Sequence, residues 1–328
     1  MKAVGLLSGG LDSTLAARLM MEQGIEVHAI NFTSPFCQCT PKSSCCASVV
    51  TAVRQLGDIP LERVSLGEDY LEMIASPRHG YGRGMNPCLD CRIMKIRKAG
   101  EYMREIGASF LFTGEVLGQR PMSQHKRALA LIDHDSGLGD STVRPLSAHH
   151  FEPTLPEREG WIDRAKLLSI QGRSRKDQIG LAQHMGIADY PCPAGGCLLT
   201  DANFAERLRE YLQHVVKPRL QDMPFLKTGR HFRLANGDKV IVARDEAEGE
   251  RLTQLCRPEE YLLTPENFSG PVVLLQGSDI GGAVERLVSY TRKQVDGVMI
   301  IECRYLGSSF LITNHAKTPT VHIHNSGI

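Results

Sequence analysis

Apolar and polar positions change period along the chain, and the changes mark out its elements. Residues 2–7, 26–32, 61–66 and 109–113 are short apolar runs of strand length. Between them, residues 12–23, 49–56 and 92–106 repeat apolar positions three and four apart, as a helix with one buried face does. In the first of these, Leu15, Ala16, Leu19 and Met20 line one face and Gly24 supplies the stop. Strands alternating with helices predict a parallel α/β sheet covered on both faces, which takes ligands outside the carboxyl ends of its strands. Helical spacing continues at 175–185 and 202–216. The texture then changes. Pro218 and Pro224 punctuate a linker, and short strand-like runs follow at 231–234, 239–242, 272–275, 298–302 and 310–313, with one helical stretch at 284–294. The expectation is an α/β domain at 1–220 and a smaller α+β domain at 221–328.

The chain of 328 residues is long enough for both. Its formal net charge of +1 gives no global signal for a polyanion, so a nucleic-acid surface has to be local. No apolar run approaches a membrane span, and the first strand starts at residue 2, so a cytoplasmic protein without a cleaved leader is expected. Under reducing conditions its ten cysteines predict metal, cluster or thiol chemistry rather than disulfides.

The first strand turns into its helix through Ser8-Gly9-Gly10-Leu11-Asp12-Ser13. Glycines allow a tight turn and close approach to a ligand, the helix N-terminus offers free N–H groups, and Ser8, Ser13 and Thr14 add hydroxyls. The combination predicts a phosphate cradle, although not of the Walker type, since no Gly-Lys-Ser/Thr follows. An ordinary helix cap by Asp12 or Ser13 is the bland alternative. A later strand ends in Phe112-Thr113-Gly114-Glu115-Val116-Leu117-Gly118-Gln119, with Arg120-Pro121-Met122-Ser123-Gln124 behind it. Val143-Arg144-Pro145-Leu146-Ser147 forms a third such segment.

The cysteines fall into groups. Asn86-Pro87-Cys88-Leu89-Asp90-Cys91 opens a helix carrying Arg92, Lys95, Arg97 and Lys98, a setting that favours thiolate over thiol. The preceding His79-Gly80-Tyr81-Gly82-Arg83-Gly84 suggests a mobile lid or substrate loop. Tyr190-Pro191-Cys192-Pro193-Ala194-Gly195-Gly196-Cys197 is a tight loop able to present sulfur. Two thiols from one loop with one or two from another suit zinc or a cluster. Cys37, Cys39, Cys45 and Cys46 sit within ten positions and form a candidate Zn2+ site. Cys256 and Cys303 stand alone among apolar neighbours, as core residues do. In the second domain Lys227, Arg230, His231 and Arg233 cluster around Phe232, as a phosphate-plus-stacking surface for RNA would. A solvated strand face explains the same pattern.

The hexapeptide after the first strand resembles the PP-loop pyrophosphatases, the adenine nucleotide alpha hydrolase-like fold that cleaves ATP between its α and β phosphates. By that resemblance Ser8, Gly9, Gly10, Leu11, Asp12 and Ser13 hold pyrophosphate, and Asp12 places Mg2+. The 112–124 and 143–147 segments resemble the nucleotide-contacting segments of tRNA-thiolating members, which gives Thr113, Gly114 and Gln119 a nucleotide role. The Asn-Pro-Cys loop is similar to the catalytic loop of tRNA 2-thiouridylases, and its Cys-x-x-Cys form to thiolases that hold an iron–sulfur cluster. That resemblance implies a 4Fe–4S cluster on Cys88, Cys91 and a distant cysteine. Cys192 is the first choice for the third ligand, with Cys197 in reserve or as a sulfur-relay thiol. Residues 227–328 resemble in part the NFACT-R RNA-binding domain. Together these imply a tRNA thiouridine synthetase that adenylates a uridine carbonyl and replaces its oxygen with sulfur from a desulfurase, a sulfur carrier or sulfide. It differs from the 4-thiouridine synthases in lacking an N-terminal RNA-binding extension, so the second domain would dock tRNA through Arg230, His231 and Arg233. The alternatives are a PP-loop amide- or nitrile-forming ligase with a structural zinc, and a non-catalytic RNA-binding nucleotide sensor.

Overall fold

A computed structural model describes residues 1–37, 45–190, 197–291, 297–315 and 318–324, with the backbone alone at 45–46, 315 and 318–324. The chain divides into two compact units, Met1–Leu220 and Gln221–Ile328.

The first unit is built on five parallel strands: β1 (Lys2–Leu6), β2 (Glu26–Thr33), β3 (Leu61–Ser65), β4 (Phe110–Thr113) and β5 (Thr142–Val143). Its helices are α1 (Leu11–Met21), α2 (Cys45–Gln55), α3 (Glu68–Ala75), α4 (Cys88–Glu105), α5 (Lys126–Ser136), α6 (Leu155–Arg158), α7 (Lys176–His184) and α8 (Ala202–His214). Alternation along the strands divides the core in two. Ala3, Val27, Ala29, Phe110 and Phe112 face α1, α2 and α7, while Val4, Leu6, Ile30 and Leu111 face α4 and α5. Both faces are therefore covered, as the alternating pattern predicts. The strand order is β3-β2-β1-β4-β5. The chain builds outward from β1 on one side, then crosses back to place β4 on the other. The carboxyl ends of β1 and β4 thus flank a topological switch point, where such sheets open a ligand crevice.

The second unit holds α9 (Met223–Leu226), β6 (Arg230–Arg233), β7 (Lys239–Val242), α10 (Glu246–Leu255), β8 (Tyr261–Pro265), β9 (Val273–Gln276), α11 (Ile280–Ser289), β10 (Val298–Tyr305), β11 (Ser308–His315) and β12 (Thr318–His324). Its sheet is antiparallel throughout, in the order β12-β11-β10-β8-β9-β7-β6. Ala283, Val284 and Leu287 of α11 pack on one face, and Phe225 and Leu252 on the other. Cys303 is part of this core, and Cys256 packs against it. The helix expected at 284–294 starts four residues earlier. The Asp279 carboxylate accepts from Gly282 N at 2.9 Å and caps the helix there. No helix among the described residues is long and apolar enough to cross a membrane.

Candidate active site

The turn after β1 lies at the switch point. Gly9 has φ +77°, and a Cβ there would sit 2.5 Å from the backbone of Ser48 and Val49, so only glycine fits. No side chain caps α1. The first-turn N–H groups are left without that partner, which removes the bland reading of an ordinary cap and leaves an anion-binding end. The expected hydroxyl donors divide. Ser13 Oγ and Thr14 Oγ1 donate to the Gly10 carbonyl at 2.9 and 3.1 Å, and Ser8 N donates to Ser13 Oγ at 3.2 Å. Ser13 and Thr14 therefore brace the turn, while Ser8 stays exposed beside it.

Asp12, in the first turn of α1, accepts from Gln119 Nε2 at 2.8 Å through Oδ2, and Gln119 accepts from the fully buried Gln178 of α7 at 3.4 Å. Burial pushes the Asp12 carboxyl above its usual range, against the Gln119 hydrogen bond and the charges of Arg175 and Arg120. Around it lie three buried polar atoms without a hydrogen-bond partner: Asp12 Oδ1, Arg175 Nε and Gln178 Oε1. A free carboxylate oxygen suits a hard cation, and a guanidinium suits a phosphate. The chemistry of this donor set fits magnesium and a polyphosphate.

The β4 end closes on the same turn. A Cβ on Gly114 would lie 2.5 Å from Ser13 N, so the two backbones touch. Next to it Glu115 is buried. Thr113 Oγ1 donates to its Oε2 at 3.2 Å and Arg144 Nε at 3.1 Å, while Arg92 Nε lies 2.9 Å from its Oε1, an ion contact without hydrogen-bond alignment. Burial pushes the Glu115 carboxyl up, but Arg92 and Arg144 outweigh it and hold it below the usual range. Arg144 is itself buried and bidentate to Asp133 at 2.7 and 3.0 Å. Ser147 Oγ accepts from Leu117 N and donates to the Ile170 carbonyl. In the third segment, then, Arg144 and Ser147 brace the scaffold.

The glycine loop before α4 is anchored rather than lid-like. Met85 N donates to the Leu199 carbonyl at 2.9 Å, Gly82 N to the Asn86 carbonyl at 2.9 Å, and the Tyr81 hydroxyl to the Ile74 carbonyl at 2.6 Å. Gly84 has φ +67°, and a Cβ there would be 2.4 Å from the Leu199 oxygen. Leu198 N in turn donates to the Phe36 carbonyl at 3.1 Å, over a cluster of Phe36, Tyr70 and Phe204. This docking brings the Cys88–Cys91 turn and Cys197 into one neighbourhood. The Tyr70 hydroxyl is 3.4 Å from Cys91 Sγ, and burial raises its pKa well above the usual phenol range. Burial pushes Cys197 up to about 11 and also raises Cys88, against the charges of Arg120 and Arg92. At Cys88 the cations do not win, and the thiolate character expected there is corrected to thiol. The positive charge of Arg120 acts on both Asp12 and Cys88 and favours the ionised form of each.

Among the described residues no three Cys, His, Asp or Glu side chains gather closely enough to hold a single metal ion. A 4Fe–4S cluster makes a different demand, because each thiolate binds its own iron. Cys88, Cys91 and Cys197 suit it as a donor set. Cys192 lies outside the described residues. So do Cys39 and the side chains of Cys45 and Cys46, which leaves Cys37 alone of the expected zinc ligands.

In the second unit alternation separates the three expected RNA-binding residues. Arg230 lies over the Tyr290 ring at 4.9 Å, Arg286 over Phe232 at 4.9 Å, and the Phe232 and Tyr290 rings are 5.6 Å apart. His231 and Arg233 point to the opposite face, bonded to the Thr228 and Gly237 carbonyls. The ladder is thus Arg230, Tyr290, Phe232 and Arg286.

Sequence reading missed Arg175, Gln178, Tyr70 and Arg286. Arg173-Ser174-Arg175-Lys176, a basic run opening a helix, was the available signal for the first. Tyr70 had none, since its role comes from packing.

Residues 1–149 match the family model described as "Thiamine biosynthesis protein (ThiI)", and residues 229–322 the one described as "NFACT protein RNA binding domain". The chain is 25% identical over 223 residues, 64% of its length and 55% of the relative's, to the tRNA-specific 2-thiouridylase MnmA of Dichelobacter nodosus. It is 30% identical over 126 residues, 34% of its length and 33% of the relative's, to that of Leptospira biflexa. The chain spans about half or less of the length of these relatives. A solved 4-thiouridine synthetase–RNA complex with bound ATP is 20% identical, with a TM-score of 0.40 over 69% of this chain and 52% of that one. The first unit is thus similar in sequence to ThiI and to tRNA-specific 2-thiouridylases, and the second to the NFACT RNA-binding domain.

Proposed function

We propose that the protein thiolates tRNA at the expense of ATP. The observation that carries this reading is the set of unpartnered buried atoms, Asp12 Oδ1, Arg175 Nε and Gln178 Oε1, beside the uncapped α1 N-terminus. A uridine carbonyl oxygen attacks the α-phosphorus of ATP, and pyrophosphate leaves. The α1 N–H groups and Arg175 stabilise the charge that develops on the departing phosphates. Asp12 would hold Mg2+ through Oδ1, and the ion would neutralise further phosphate charge. The uridine oxygen, a poor leaving group, then departs as AMP when sulfur attacks the ring carbon. Arg120, whose charge acts on both Asp12 and Cys88, would stabilise the AMP phosphate.

Cys88, Cys91 and Cys197 would hold the 4Fe–4S cluster, which when bound supplies an iron without a cysteine for the incoming sulfur. Burial raises the Cys88 and Cys197 thiols, which favours ligation over a free nucleophilic thiolate, since metal binding deprotonates a thiol that burial keeps neutral. Cys197 replaces Cys192 as the proposed third ligand, because the docking of Gly84 and Met85 on Leu199 brings it to the pair. The second unit would dock RNA through Arg230, Tyr290, Phe232 and Arg286. Kinship with 2-thiouridylases favours thiolation over a small-molecule ligase or a nucleotide sensor. Protein purified without oxygen, given labelled ATP, Mg2+, sulfide and tRNA, is expected to release AMP only when tRNA is present and to form thiouridine. Equal AMP release without tRNA overturns the reading.

A further inference from the structure

Arg92 follows Cys91 directly and lies four residues beyond Cys88, on the same face of α4. Its Nε rests 2.9 Å from Glu115 Oε1, and the Arg92 side chain is 27% exposed while Glu115 is 1% exposed. A carboxylate this buried is held where its cations are, because separating them leaves an uncompensated charge. Glu115 is fixed on its other side by Arg144, which Asp133 of α5 grips with two hydrogen bonds. Thr113 Oγ1 ties Glu115 back to β4, and the intervening Gly114 touches the backbone of Asp12 and Ser13. A continuous path of contacts therefore runs from the α1 N-terminus through Gly114 and Glu115 to Arg92 and the Cys88–Cys91 turn. It involves no nucleotide and no sulfur, and its two charged links are Arg92 and Glu115, with Arg144 and Asp133 bracing Glu115 from the side.

We propose that Arg92 is a positioning residue: its ion pair with Glu115 locks the Cys88–Cys91 turn to the nucleotide cradle, so that filling the cradle tightens the turn that handles sulfur. The proposal rests on the ATP-dependent reading above, and its test does not require turnover. Hydrogen–deuterium exchange of the 88–96 segment is followed in the full-length protein with and without α,β-methylene-ATP and Mg2+, with nucleotide affinity measured separately. In the native protein nucleotide is expected to slow exchange by about five-fold or more, the lower range of coupling between linked sites. In Arg92→Gln, which leaves Glu115 paired with Arg144, saturating nucleotide is expected to alter exchange by less than about two-fold, and by reciprocity of the link to bind about five-fold more weakly than in the native protein. Arg92→Lys keeps the charge without the Nε contact and should fall between the two. It carries the same readout if Arg92→Gln does not fold. A purely structural role predicts faster exchange in Arg92→Gln with the nucleotide effect intact, and that result overturns the proposal, as does the absence of any nucleotide effect in the native protein. Tight α,β-methylene-ATP binding with no tRNA-dependent AMP release would count against the thiolation reading while leaving the link standing.

Discussion

Two glycine-rich turns serve the candidate site, and they use glycine for opposite ends. In the β1–α1 turn, Gly9 lets the backbone fold under α2 while the first N–H groups of α1 remain uncapped. That turn leaves its helix N-terminus without a side-chain cap. In the loop before α4, Gly84 lets the backbone press on the Leu199 carbonyl, and the contact is filled by the protein itself. The first region is open and electrostatically unfinished. The second is closed and assembles thiols from segments more than a hundred residues apart. Glycine content alone does not separate a ligand cradle from a clamp. What separates them is whether the polar atoms around the turn already have partners.

The comparison is broken most severely at Asp12. Asp12→Ala should keep the fold and the thiol site but lower tRNA-dependent AMP formation by about two to three orders of magnitude, the loss typical of a group that stabilises transition-state charge. Unchanged AMP release would remove Asp12 from the chemistry. The clamp is tested by Gly84→Ala against Gly80→Ala. Both positions have positive φ, but a Cβ at Gly80 meets nothing within 4 Å. Backbone strain alone costs about 1–2 kcal/mol, and Gly84→Ala should cost about 2–5 kcal/mol because the Leu199 oxygen must also move. Iron reconstitution should suffer in Gly84→Ala and survive in Gly80→Ala, with ATP binding kept in both. Equal iron contents would mean that docking does not build the thiol site.

Smaller effects are expected in the second unit. Tyr290→Ala should weaken tRNA binding by about 5- to 150-fold if a base stacks on this ladder, which is about 1–3 kcal/mol. Arg230→Gln should lower the salt slope of tRNA binding by about one. Affinity and slope that both stay at the native values would move the docking surface elsewhere. The smallest effect concerns the unfinished cradle in the absence of ligand. Because burial raises the Asp12 carboxyl, its ionised form costs native stability. The favourable, protonated contribution is complete below the unfolded pKa and is lost as pH rises through the raised folded value. Asp12→Asn should therefore melt about 2–4 °C higher at neutral pH, and the gain should fade on acidification through that window. A gain independent of pH would show that desolvation of the carboxylate is not its source.

The cradle was legible because everything it needs is local: a strand-length run, two glycines and a helix with one apolar face. The parallel sheet followed from the same alternation, since β1 to β4 each carry their own apolar signal. The thiol site was legible only as separate cysteine groups. Its assembly depends on Phe36, Met85 and Leu199 meeting through backbone hydrogen bonds, which no local pattern encodes. The protonation of its thiols was misread because cations along α4 are visible in a sequence, whereas the burial that outweighs them is not. Arg230 and Arg233 could have been separated from the sequence, as strand residues three apart face opposite ways. The ladder partners Arg286 and Tyr290 could not, because they come from α11 and its C-cap, which only the folded sheet brings beside β6.

The central claim is that ATP activates a uridine carbonyl so that sulfur can replace its oxygen. It is tested most directly with tRNA whose uracil carbonyl oxygens carry 18O, incubated with protein purified without oxygen, unlabelled ATP, Mg2+ and sulfide, followed by mass spectrometry of the AMP. The account predicts one labelled oxygen in AMP for each thiouridine formed. AMP that is free of label while thiouridine accumulates would contradict it.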